Sequence, residues 1–410
     1  MNESIQGIPF FVLTVGAAII VSILLKSWLK RIGVPGLIGF IILGFGIRCL
    51  DGCLGIFGEP GFRIFEFLGS VGMFTLLFKV CLESDLSGLL RQQKLAGAVA
   101  ASGIIFSAVL GYVTAYYLLE LGMIPSLFAG IAMTATSVGV STGTWQSRNA
   151  LQTRNGELLI DIAEMDDILG VVLMGLLFAV APTLHNGGGN SSIIKTVALS
   201  ATKYFIMLFG FGLLCFLFSR YLEKSMTNFF KKITPAPDPM LLVAGVGIII
   251  AALAGLLGFS VAIGAFLAGL AFSRDQSAVK MEASFNTLYD FFMPFFFIGI
   301  GLKIDPAALG NAFQLGPVLL VAAILAKLIG NGAAMYLFTG FNAALLIGVS
   351  TIPRAEITLI IMEHGLQLGN WAVPAQLYAA MVLVAAITCI GAPITLRPLL
   401  QKLQPREKNA

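Results

Sequence analysis

Apolar stretches of about 20 residues recur along almost the whole chain, separated by short polar connections. In a bilayer each stretch must satisfy its own backbone hydrogen bonds, so each reads as a spanning helix. Composition bears on one question only. With 58% hydrophobic and 11% charged residues and a mean hydropathy of +0.93, the chain lies far from a soluble domain, in which about a quarter of residues are charged. A soluble enzyme is excluded, and no stretch is polar enough to form a soluble domain. The expectation is an all-α polytopic membrane protein.

The spans fall at roughly 8–25, 34–50, 64–82, 95–118, 123–145, 156–182, 198–219, 239–256, 258–273, 285–302, 316–339, 342–363 and 372–396, about thirteen in all. The weakest cut is at Gly255–Gly258, where two spans abut. Basic residues support the count. Alternate connections carry Lys26, Lys30 and Arg31; Arg91 and Lys94; Arg148 and Arg154; Arg220, Lys224, Lys231 and Lys232; Arg274 and Lys280; and Arg397, Lys402, Arg406 and Lys408. The connections between them hold few: Arg48, Arg63, Lys195 and Lys303. The positive-inside rule then sets the N-terminus outside and the C-terminus in the cytoplasm. The first segment has no basic n-region or cleavage site and reads as a retained span. The net charge of +4 reflects this bias, and nucleic acid is set aside as a partner. The five cysteines read as small core residues, with Cys49 and Cys53 as weak evidence for a disulfide.

The chain also echoes itself. Leu37–Gly44 resembles Ala262–Gly269, and Leu82–Asp85 resembles Leu302–Asp305, in the same order and at similar separation. By the predicted topology the pairs lie in opposite orientation, as inverted repeats do in secondary transporters. The expected organisation is one transmembrane domain over 1–400. Within it, a first repeat lies in 8–182, a linker helix at 198–219 and a second repeat in 239–396, before a short cytoplasmic tail at 401–410.

Four acids interrupt the long apolar run 158–180: Asp161, Glu164, Asp166 and Asp167. Each acid at membrane depth costs roughly 2.5–3.5 kcal/mol on insertion scales, so such residues mark function by default. Lys327, central in its own apolar run, is the other costly charge, and Asp166 or Asp167 is its obvious partner. Adjacent residues on a helix point about 100° apart, so one aspartate can face Lys327 while the other faces a cavity. Their titrations are coupled, and such a site can exchange a proton for a cation. Glu164 and Asp161 read as an acidic funnel that attracts cations.

Two further runs point to broken helices. Thr134–Gly143 packs hydroxyl and β-branched residues between glycines, where freed carbonyls and hydroxyls can replace a cation's water shell. Ser350–Thr358 contains Pro353, Arg354 and Glu356, and its proline disrupts the preceding turn. Two crossing half-helices would aim partial charges at the site. Trp28, Trp145 and Trp371 are expected as interface anchors, His185 and His364 in loops, and Lys79 with Glu83 as a local pair.

These motifs together resemble the monovalent cation:proton antiporter family 2, in its NapA- and GerN-like branch. The resemblance rests on Pro35–Gly44, Leu76–Asp85, Thr134–Gly139, Asp166–Gly170, Gly264–Gly269, Lys327 and Pro353–Glu356, and it runs almost end to end. It implies a thirteen-helix, inverted-repeat sodium/proton antiporter fold with two crossing broken helices, acting as a homodimer by an elevator-like motion. It further implies that Asp167 coordinates the cation with Thr136 and Ser137, and that Asp166 pairs with Lys327 and exchanges protons. Lys79, Cys81, Ala355, Asp161 and Glu164 depart from the family pattern. The expected activity is secondary active exchange of Na+ (K+ or Li+ as alternatives) for H+, with two protons per cation. The protein is expected not to be an enzyme, to need no cofactor and to reside in the bacterial inner membrane. A Na+-coupled organic-anion symporter and a cation channel are the rival readings.

Overall fold

The computed structural model describes residues 3–55, 58–82, 93–186, 190–222, 225–226, 239–273 and 278–403. Glu83 and Asp85 of the sequence motifs, and the tail from 404, lie outside the described residues. The described residues are helical almost throughout. The helices are α1 (Glu3–Arg31), α2 (Gly36–Leu54), α3 (Gly58–Leu82), α4 (Gln93–Val113), α5 (Met123–Ala132), α6 (Val138–Gln146), α7 (Arg154–Asn186) and α8 (Asn190–Leu217). They continue as α9 (Pro239–Leu256), α10 (Val261–Phe272), α11 (Ala278–Leu302), α12 (Leu309–Lys327), α13 (Ala334–Thr339), α14 (Phe341–Ser350), α15 (Glu356–Leu368) and α16 (Ala375–Leu403). Three wider π-helical turns interrupt the regular winding: Thr114–Leu118 after α4, Phe218–Leu222 after α8, and Leu328–Ala333 between α12 and α13.

Nine spans among the described residues are long and apolar enough to cross a membrane. The four remaining predicted spans correspond to two short helices, α9 and α10, and to the broken pairs α5–α6 and α14–α15. The abutting pair is separated as expected. α9 ends before Gly258, whose φ of +91° permits the reversal. Ser260 then caps α10, its hydroxyl accepting from Ile263 N at 3.3 Å. Large apolar side chains such as Leu13 and Phe209 point outward, 69% and 75% exposed, as lipid-facing residues do.

The chain forms two compact units. One joins Met1–Asp85 with Phe209–Ile304, the other Leu86–Leu208 with Asp305–Ala410. In the first unit α11 packs on α2 and α3, and α10 packs on α3 and α9. The matched glycine runs explain this packing. A Cβ on Gly44 of α2 would lie 2.0 Å from Ile298 O of α11, and one on Gly301 would lie 2.1 Å from Ile41 O. A Cβ on Gly269 of α10 would lie 2.6 Å from Phe78 O of α3. Small residues let helix backbones touch where lipid offers no hydrophobic drive. The two repeats therefore use their glycines alike, each run bringing its helix against the following helix of the other repeat. Phe78 fills the centre, with ring centroids 5.3 Å from both Phe74 and Phe285.

Gly44→Ala should destabilise the protein by about 1–3 kcal/mol, because backbone cannot yield to the added methyl. Gly46→Ala, with nothing within 4 Å, should stay within roughly 0.5 kcal/mol. Thermal unfolding of both variants in detergent checks this, and equal melting temperatures would contradict the packing role.

Candidate functional site

The second unit contains every charged residue singled out by the apolar-run argument. α5 stops at Ala132, residues 133–137 leave the helix, and α6 resumes at Val138. α14 stops at Ser350, residues 351–355 are non-helical, and α15 begins at Glu356. Pro353 explains the second break, since it removes a donor and forces the preceding residue out of the helical region. Each break frees carbonyls and N–H groups that must find partners in a buried setting.

They find them in each other. Ser137 N donates to Pro353 O at 2.8 Å. The Ser141 hydroxyl donates to Ser350 O, and Thr358 Oγ1 donates to Ala132 O at 2.8 Å. The Arg354 guanidinium donates to Ala135 O and, at 3.4 Å, to Thr134 O and to Ala323 O of α12. This places a fixed positive charge at the C-terminal end of α5, where the helix dipole is negative. Glu356 sits in the first turn of α15, where the dipole favours an acid. The linker is also tied to α16, with Arg354 N donating to Thr388 Oγ1 at 3.1 Å and Cys389 Sγ donating to Arg354 O at 3.2 Å.

The ion pair lies beside this crossing. Lys327 Nζ donates to Asp166 Oδ2 at 2.7 Å, and both side chains are fully buried. Thr136 Oγ1 stands 2.9 Å from the same oxygen and 3.3 Å from Thr351 O, so its single proton is directed at one or shared by both. Asp166 Oδ1 has no hydrogen-bond partner among the described residues. Asp167 turns to a different side, 6% exposed, and the charges that act on it are Glu356, Asp166, Lys327 and Glu164. Ser137 is fully buried beside Glu356. Asp161 and Glu164 are partly buried on the same helix. Among the described residues no group of three or more His, Cys, Asp or Glu side chains is arranged to hold a metal ion.

The structure thus brings Asp166, Lys327 and Thr136 into direct contact, with Ser137, Glu356 and Asp167 beside them. Thr136 lies within hydrogen-bond distance of Asp166, the neighbour of the Asp167 with which the family resemblance has it share a cation. Some expectations change. Trp145 is no interface anchor: it is fully buried, and its Nε1 donates to Ser350 Oγ at 2.8 Å. His185 and His364 lie on α7 and α15, not in loops, with rings 4.1 Å from Trp371 and 3.9 Å from Phe178. Lys79 sits over the Tyr289 ring at 4.3 Å, and its expected partner Glu83 lies outside the described residues. Cys49 and Cys53 form no disulfide. Sequence reasoning missed Thr388 and Cys389, single residues in an apolar helix that nothing local distinguishes.

The family model for the transmembrane sodium/hydrogen exchanger matches residues 16–402. The chain belongs to the sodium/hydrogen exchanger family. It is 29% identical over 380 residues to a Na+/H+ antiporter of Enterococcus hirae, covering 91% of this chain and 94% of that one. It is 30% identical over 374 residues to the Na+/H+-K+ antiporter GerN of Bacillus cereus, covering 90% of each. The high-affinity Na+/H+ antiporter NhaS3 of Synechocystis sp. is 28% identical, over 84% of this chain and 73% of that protein. The solved structure of the sodium proton antiporter MjNhaP1 from Methanocaldococcus jannaschii at pH 8 superposes with a TM-score of 0.74 at 16% identity, over 96% of this chain and 98% of that one. The fold is therefore the antiporter fold, with its inverted repeats and its crossing pair of broken helices.

For this exchanger, removing one member of the buried ion pair strands the other. Lys327→Met should destabilise by about 3–5 kcal/mol, and adding Asp166→Asn should recover most of that loss. Melting temperatures of the single and double variants in detergent test it; no recovery in the double would refute the pairing as a stabilising contact.

Proposed function

We propose that this protein is a secondary active antiporter that exchanges a monovalent cation for H+ by alternating access, with proton and cation competing at Asp166 and Asp167. Na+ is the cation we assign first, with K+ or Li+ as alternatives. One observation carries the reading: Asp166 and Asp167, buried side by side at membrane depth, with one held by an ammonium and the other turned away. A charge buried there without function is a cost without return.

Asp167 takes the cation with oxygens from Thr136 and Ser137, and Asp166 gives up Lys327 as it exchanges protons. Arg354 and Glu356 hold the charge of the half-helix ends during the movement, while Glu164 and Asp161 attract cations toward the site. Two protons per cation follow from two coupled acids. The names of the Enterococcus hirae relative and NhaS3 support Na+/H+ exchange, and that of GerN supports K+ as a further substrate.

The transporter has its N-terminus outside, its C-terminal tail from 401 in the cytoplasm, and a first repeat in 8–182 joined by the 198–219 helix to a second in 239–396. It works as a homodimer in a bacterial inner membrane, without a cofactor and without enzymatic turnover. In proteoliposomes carrying an imposed pH gradient and a pH-sensitive dye, adding Na+ should dequench the wild type, and Asp167→Asn should abolish the signal. Undiminished exchange by Asp167→Asn would sink the proposal. Repeating the assay with K+ and Li+, with and without a membrane potential, identifies the cation and the stoichiometry.

A further inference from the structure

The π-helical turn after Lys327 carries a group that the ion pair does not use. Asn331 is fully buried, and neither its amide oxygen nor its amide nitrogen has a hydrogen-bond partner among the described residues. Buried polar side chains are nearly always partnered, and an unpartnered amide weakens the fold. A second such group lies on α4. Ser107 of α4 is also fully buried, and its hydroxyl has no partner among the described residues. π-helical turns inside α-helices recur at functional sites.

Helix geometry brings the two groups together. α12 touches both the body of α4 and its π-helical end, while α13 touches the body of α4, so the two run antiparallel. A Cβ on Gly330 would lie 2.8 Å from Gly103 Cα, and a Cβ on Gly103 would lie 1.6 Å from Asn331 Oδ1. Asn331 therefore lies flat against Gly103. Ser107 is one turn beyond Gly103 on the same face. One turn from Asn331 in the same spatial direction is Lys327, so Ser107 and Lys327 stand at one height. Helical side chains lean toward the N-terminus of their helix. The Asn331 amide thus leans toward the Lys327 level and the Ser107 hydroxyl toward the Asn331 level, with no hydrogen bond between them.

The Lys327 ammonium has three donors, and it gives one to Asp166. When Asp166 gives up Lys327 in the exchange, the ammonium must leave that oxygen yet stay inside the bilayer-depth core, where an unpartnered charge is costly. Asn331 Oδ1 is an uncharged acceptor with no competing bond to break, on the same helix one turn away. We propose that Asn331 and Ser107 form the second resting place of the Lys327 ammonium, occupied while Asp166 has released it and the cation is bound at the aspartate pair. This rests on the reading of Asp166 and Asp167 as the exchange site. Asn331 and Ser107 touch neither cation nor proton. They are positioning residues that lower the cost of freeing Asp166 and so tighten cation binding.

The test is Na+ binding to the purified full chain, measured by calorimetry in detergent. The variants are Asn331→Leu, of matching shape without an acceptor, and Ser107→Ala, each alone and combined with Lys327→Gln. Asn331→Leu should raise the Na+ dissociation constant roughly tenfold, the scale of one hydrogen bond to a charged group. Ser107→Ala should raise it about threefold. In the Lys327→Gln background, with no ammonium to receive, each should change it by less than about twofold. Equal weakening with and without Lys327 would reveal a packing role and overturn the proposal, as would unchanged binding in both single variants. If Asn331→Leu does not fold, Ser107→Ala, smaller by one atom, carries the same comparison. A wild type that binds none of Na+, K+ and Li+ overturns the exchange reading itself, which separates the two failures.

Discussion

The contact on which the rest of the site depends is the buried bond between Lys327 and Asp166. Neither residue can be afforded alone in an apolar core, since breaking a buried pair leaves an uncompensated charge. Their pairing joins α12 to α7 across 161 residues of sequence and fixes the face that α7 turns inward. With Asp166 committed to Lys327 and Thr136, the next residue must look elsewhere, about 100° round the helix. Asp167 thereby takes a different direction from Asp166, among the charges of Glu356, Lys327 and Glu164. The division of the two acids is a consequence of helix geometry once one of them is held.

The broken helices solve a second constraint in the same space. An interrupted helix at membrane depth exposes carbonyls and N–H groups that lipid cannot satisfy. Here each break supplies the partners of the other: Ser137 and Ser141 answer the carbonyls of residues 350–353, and Arg354 and Thr358 answer those of residues 132–135. Trp145 adds an indole donor to Ser350. Because the caps are reciprocal, the two crossings hold each other in place, and Asp166 with its ion pair is packed beside a rigid junction. Among the described residues Asp166 Oδ1 is left without a hydrogen-bond partner, and it becomes part of the distinctive chemistry of the site.

Much of this was legible in the chain. The thirteen predicted spans correspond in order to the helices and broken helices, because bilayer thickness sets the length of an apolar run. The breaks were visible as Pro353 and as a hydroxyl-rich run between glycines. What misled was the position of an aromatic residue near a span end. Trp145 stands where an interface anchor would, yet it belongs to the core, because the span it ends is broken and its last turns are enclosed by α14, α16 and α7. Arg354, expected within the second broken helix, is fully buried, and it donates to carbonyls near the end of α5.

By itself, the sequence determined that this is a helical membrane protein with costly charges in two spans and interruptions in two others. Hydropathy, proline and the energetic cost of a buried charge are properties of a residue and its near neighbours, so they survive without a fold. Only the tertiary structure decided that Thr136 lies against Asp166, that Thr388 and Cys389 steady Arg354, and that Asn331 lies against Gly103. Each of those choices depends on the rotation and height of helices far apart in sequence, and that information resides in the packing of glycine against backbone.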